Sequence, residues 1–257
     1  MVINLKYKLL QILNIISFLA VIIVNALANA LPINDLTTGE ISAMFPNLFT
    51  PAGITFSIWG LIYLLLAGFI FYQARGLLSK RELNKELLDK INILFIISSL
   101  ANIAWIFTWH YLKIELSFLI MLILASSLIL IYQRLKIGQR GVKPKERVFV
   151  HLPFSIYTAW ITVATLANLT VLFVEWNIYA NIIPEVLWTV AMIAIATAVG
   201  LYIYQKYRDV YYNLVIIWAL LGIVIQRVFI AEQLVLSVVI AAVVGILVVA
   251  SRILIFD

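Results

Sequence analysis

The chain has 257 residues, of which 65% are hydrophobic and 12% charged, where a soluble domain is about half apolar and about a quarter charged. It carries a net charge of +6 and no cysteine. This composition excludes a soluble domain of useful size, disulfides, thiolate metal sites and cysteine nucleophiles. The basic residues sit in short loops, so they read as topology determinants and contacts to anionic lipid, with no nucleic acid as partner.

Taken in chain order, apolar runs long enough to cross a hydrocarbon core cover residues 9–30, 52–72, 91–109, 116–132, 148–173, 184–204, 211–230 and 234–254. The sequence therefore predicts an all-α, polytopic membrane protein with about eight transmembrane helices. A spanning barrel would alternate polar and apolar residues, and these runs are apolar all round. With no water to satisfy the backbone, helices remain. Lys6 and Lys8 precede the first run, and Ala28-Asn29-Ala30 resembles a signal-peptidase site. The apolar core exceeds the about 7–15 residues of a cleaved signal, which predicts a retained first helix.

The loops alternate in charge. Asp35 and Glu40 follow the first span without a base, whereas Arg75, Lys80, Arg81, Lys85 and Lys90 follow the second. The short third connection has His110, Lys113 and Glu115. Arg134, Lys136, Arg140, Lys143, Lys145 and Arg147 follow the fourth span, and Glu175 and Glu185 the fifth. Lys206 and Arg208 follow the sixth, Glu232 lies in the last loop, and Arg252 lies near the end. The positive-inside rule then places both termini in the cytoplasm of a cell that carries the protein in its plasma membrane.

The middle of every span lacks Asp, Glu, Lys and Arg, which argues against a pump, a proton-coupled carrier or a voltage sensor. His110 and His151 are separated and have no nearby cysteine or carboxylate, a poor metal set. No nucleotide loop, nucleophile elbow or carboxylate pair is visible, so no enzyme activity and no required cofactor are expected. Instead, Trp, Tyr, Asn and small residues recur at helical spacing. Asn14, Phe18, Val21, Asn25 and Asn29 share one face, as do Phe56, Trp59 and Tyr63. Ser98, Asn102, Trp105 and Trp109 line up, and so do Pro153, Tyr157, Trp160, Ala164 and Asn168. Amides and small residues are ordinary helix–helix glue, and composition alone favours that reading. Trp59, Trp105 and Trp160 lie deeper than interfacial anchors need to, which favours a flat-walled pocket.

Three fragments resemble the TspO/translocator protein family, the tryptophan-rich sensory proteins. They are FTPAGITFSIWGLIYLLLAG at 49–68, LANIAW at 100–105 and LPFSIYTAWITVATLAN at 152–168. The resemblance covers roughly residues 1–177 and implies a five-helix bundle there, with 178–257 adding three transmembrane helices. It implies a receptor or sensor for a hydrophobic, tetrapyrrole-like ligand, porphyrin or haem, held between spans one, two, three and five. The carried-over ligand-binding residues are Trp59, Tyr63, Asn102, Trp105, Tyr157, Trp160, Ala164 and Asn168. Family members often dimerise, which implies a homodimer. Two departures stand out: Ile54 occupies a place where the family has Trp, and only Pro51 remains of its paired prolines. A carrier or exporter of small hydrophobic molecules is the alternative, followed by a porphyrin-degrading enzyme and by a structural scaffold. Leu201, Tyr204 and Lys206 form a sterol-type pattern of the kind many helix ends match.

Overall fold

The computed structural model describes residues 2–31, 33–78, 84–139 and 141–255; Lys80, Arg81 and Arg140 of the basic loops lie outside them. The described residues form helices and connections, with no strand. Eight long elements organise them: α1 Val2–Ala30, α2 Ile58–Leu78, α3 Leu94–His110, α4 Ile114–Leu135, α5 Leu152–Glu175, α6 Glu185–Tyr207, α7 Val210–Ile225 and α8 Leu236–Ile255. Seven spans are long and apolar enough to cross a membrane, and α3 joined to the short helix Lys85–Ile91 makes an eighth. The protein is an integral, multi-pass membrane protein.

The first five helices close into a ring. α1 packs on α2 and α3, α3 on α4, α4 on α5, and α5 returns to α2. α6, α7 and α8 pack on one another, and α7 docks this triangle against α5. Helices in lipid gain little from hydrophobic association, so close packing and polar cross-links hold such a bundle. Phe69, Phe95 and Phe154 supply a dry centre to the ring, with centroids 5.0 to 6.1 Å apart. Gln11, Asn14 and Gln73 tie α1 to α2 through exchanged amide bonds.

Several boundaries depart from the apolar runs. α1 begins at Val2 because the Tyr7 hydroxyl donates to Asp89 at 2.8 Å and Lys6 sits 3.7 Å from the same carboxylate. The third span is bent by 43° between Lys85–Ile91 and α3. Asn92 causes the break, with φ at 46°, a conformation that Asn tolerates better than most residues. Asn84 caps the short segment by accepting from the Leu87 N–H, and Leu87, Leu88 and Ile91 are buried. The second span opens with a 3₁₀ turn, Gly53–Ser57, because the N–H of Ala52 donates to the Gly222 carbonyl of α7 at 3.0 Å. Beyond α4, Gly138 has φ at +87° and lies against the Tyr207 carbonyl, where a Cβ would stand 1.8 Å away.

Candidate functional site

The end of the bundle that carries residues 33–57 contains a cavity of about 1260 Å³. α1 contributes Asn25 and Asn29, α2 contributes Trp59 and Tyr63, and α3 contributes Trp105. The segment from Thr37 to Phe56 arches over it. A narrow chamber of about 60 Å³ shares Phe56, Trp59 and Trp105 with this cavity and runs on to Trp160, Ala164 and Asn168 of α5.

Aromatic packing sets the walls. Trp59 stacks on Tyr63 at 5.5 Å and meets Tyr157 and Trp160 edge-on at 6.0 and 6.3 Å. Phe56 also meets Trp160 edge-on, at 6.0 Å. Trp105 stacks on Trp109 at 5.8 Å. Edge-to-face and offset contacts of this kind hold rings in fixed orientations. The ring nitrogens of Trp105 and Trp160 and the Tyr63 hydroxyl are buried without hydrogen-bond partners. A buried donor left unpaired is costly.

The structure thus separates the eight residues named from the sequence. Trp59, Tyr63, Trp105, Trp160, Ala164 and Asn168 line the hollow. Asn102 and Tyr157 form its floor instead: the Asn25 amide donates to Asn102 at 2.8 Å, and the Asn102 amide donates to the Tyr157 hydroxyl at 3.2 Å. Asn168 has a second role, accepting from the Ser117 hydroxyl at 3.0 Å across α4 and α5. Pocket and glue are therefore both present, divided between indoles and amides.

Other contributors were not evident in the sequence. The short helix Thr38–Met44 forms part of the roof, opened by a capping box in which Thr37 and Glu40 bond reciprocally. The two hydrogen bonds from Thr37 hold the Glu40 carboxyl below the usual carboxylate range. The Thr37-x-x-Glu40 spacing carries this signal in the sequence. The Trp109 indole donates to the Thr38 carbonyl at 3.2 Å. His110 fastens the same segment, with one ring nitrogen 3.1 Å from the Ile33 carbonyl and the other 3.1 Å from the Thr38 hydroxyl. No group of histidines and carboxylates suited to a metal occurs among the described residues.

The C-terminal triangle also builds the wall. Ala219 and Ile223 line the chamber, while Gln226, Arg227 and Glu185 line the wider cavity. The Trp218 indole donates to the Thr55 carbonyl at 3.0 Å. Ile54 is 61% exposed and points away from the hollow's lining. Tyr204 of the sterol-type pattern is fully buried against α8, its hydroxyl donating to the Ile253 carbonyl at 3.5 Å.

A family model described as TSPO-like protein matches residues 11–255, reaching through all eight long helices. No curated protein and no solved structure matches the chain.

Proposed function

The chain belongs to the TSPO-like protein family, and from the indole-walled hollow in its membrane bundle we propose that it is a receptor or sensor for a flat hydrophobic ligand of tetrapyrrole type, a porphyrin or haem. The observation that carries this reading is the cavity of about 1260 Å³ joined to a chamber walled by Trp59, Trp105 and Trp160. It exceeds the about 300–1,000 Å³ usual for drug-sized ligands. Flat aromatic walls give such a ligand contact area.

Binding alone is favoured over carriage. The floor is sealed by Asn25, Asn102 and Tyr157 and backed by the Phe69, Phe95 and Phe154 cluster. A carrier would have to open this hydrogen-bonded layer in a second state. The aromatic walls hold no acid–base pair, and the rim acid, Glu185, is engaged by the Leu48 N–H, which disfavours turnover of the ligand. The charge pattern of the loops orients the hollow towards the extracytoplasmic side.

Titration of the purified protein with protoporphyrin tests the reading. Saturable quenching of tryptophan emission with a shifted Soret band is expected. Trp160→Ala and Trp105→Ala, each checked for retained helicity, are expected to weaken the Soret response at least about tenfold, the scale of losing one buried aromatic contact. A Soret response unchanged in both variants refutes the site.

A further inference from the structure

At the rim of the cavity farthest in sequence from the indoles, α7 continues into a π turn, Gln226–Ile230, that carries Arg227. Both Gln226 and Arg227 line the cavity. The Arg227 Nε is buried and has no hydrogen-bond partner, and no ion pair to Arg227 forms among the described residues. Glu185 lines the same cavity, but its carboxylate accepts from the Leu48 N–H at 2.7 Å and stays beyond ion-pair distance of the guanidinium.

An arginine at a span end ordinarily snorkels, leaving its head in water. Arg227 is half-buried beside the cavity, and its Nε is enclosed without a partner, which is expensive for a polar group. The π turn adds a residue to the helical turn and so changes which side chains face inward; such turns concentrate at functional sites. A guanidinium presents donors in a planar fork matched to two oxygens of one oxyanion. Carboxylate and phosphate monoester share that geometry.

We propose that Arg227 anchors the oxyanion head group, a carboxylate or phosphate, of an amphiphile whose apolar body lies against Trp59 and Trp160. This rests on the reading of the hollow as a ligand site and adds the chemistry of the ligand's polar end. It also gives the C-terminal triangle a recognition role, since the anchor comes from α7. The positive group reads the head, and the aromatic walls read the body. Glu185, the acid beside it on the cavity wall, limits affinity for the anion.

The test uses the full-length protein in nanodiscs of neutral lipid, with pyrenebutyrate, its methyl ester and pyrenebutyl phosphate as probes. Energy transfer from tryptophan to pyrene reads binding. The acid and the phosphate are expected to bind at least about tenfold more tightly than the ester, the scale of a charge-assisted hydrogen bond. Arg227→Gln should remove that preference while leaving ester binding in place, and Arg227→Lys should retain part of it. Glu185→Gln, which keeps an acceptor for Leu48, should strengthen binding of the acid. Displacement of pyrenebutyrate by anionic phospholipid added to the nanodisc would identify the oxyanion as a lipid head group; displacement by free pyrenebutyl phosphate alone would identify a soluble amphiphile. Equal binding of acid and ester by the unsubstituted protein, or a preference that survives in Arg227→Gln, overturns the anchor and leaves the hollow standing. Failure of every probe to bind overturns the hollow itself and the anchor with it.

Discussion

Gly222 marks a close contact between two parts of the membrane bundle. A Cβ built on it would stand 2.1 Å from the Thr55 hydroxyl oxygen and 2.9 Å from Pro51. Its carbonyl accepts from Ala52, so the backbone of α7 lies directly against the turn that leads into Trp59. Gly60, the residue after Trp59, has nothing within 4 Å of the same construction. The two glycines therefore predict opposite outcomes. Gly222→Ala should destabilise by about 1–3 kcal/mol, as overpacking does, and should weaken probe binding because the 51–57 turn must move. Gly60→Ala should be neutral or stabilising by up to about 1 kcal/mol, because alanine is the better helix former. Unfolding titrations in mixed micelles compare the pair; equal destabilisation would mean that α7 does not press on this turn. Indole depth made Trp59, Trp105 and Trp160 legible from the sequence. Arg227 was not legible, because a cation at the end of an apolar run is ordinarily an interfacial anchor, and only tertiary packing shows its Nε buried.

Among the elements, the roof helix Thr38–Met44 is weak alone. It has seven residues, and isolated helices below about 12–15 residues are marginal in water. Its capping box, the Trp109 indole and His110 supply the rest. Glu40 titrates below the usual carboxylate range when folded, so its contribution is fully present above the unfolded value. It is lost as pH falls through the lowered folded value. Hydrogen exchange across 38–44, corrected for the intrinsic pH dependence, is expected to speed up in that acid range and stay flat above it. Thr37→Ala should raise exchange at all pH values and cost about 0.5–2 kcal/mol of cap energy, but it keeps the backbone N–H that bonds Glu40, so flattening the acid response takes Glu40→Gln. An acid response that persists in Glu40→Gln would place its origin elsewhere. The long spans were legible because a lipid-exposed backbone has few alternatives. The bend at Asn92 was not, because one amide in an apolar run does not announce a positive φ.

At the scale of the molecule, the five-helix ring and the C-terminal triangle are joined at both ends. At the cavity end the clasp is Gly222 and Trp218 against residues 51–55. At the opposite end it is Asp209, 3% exposed, which the loop charges do not single out. Its Oδ2 accepts from the Tyr132 hydroxyl of α4 at 2.8 Å and the Ser155 hydroxyl of α5 at 2.7 Å, while its Oδ1 caps α7 by accepting from the Tyr212 N–H. Tyr212 in turn sits 2.7 Å from the Thr162 hydroxyl of α5. One acid thus starts α7 and fixes it to the ring. Asp209→Ala strands two buried hydroxyls, each costing about 1–3 kcal/mol, and should lower the unfolding midpoint sharply. Asp209→Asn keeps acceptor oxygen and should lose less. Because this clasp is far from the indoles, probe affinity in Asp209→Asn should stay within about twofold if the two parts move as one body, since distant sites without shared partners behave independently. A large loss of affinity with little loss of stability would instead mean that the triangle swings on the cavity-end clasp, and that the far clasp sets how open the hollow stands.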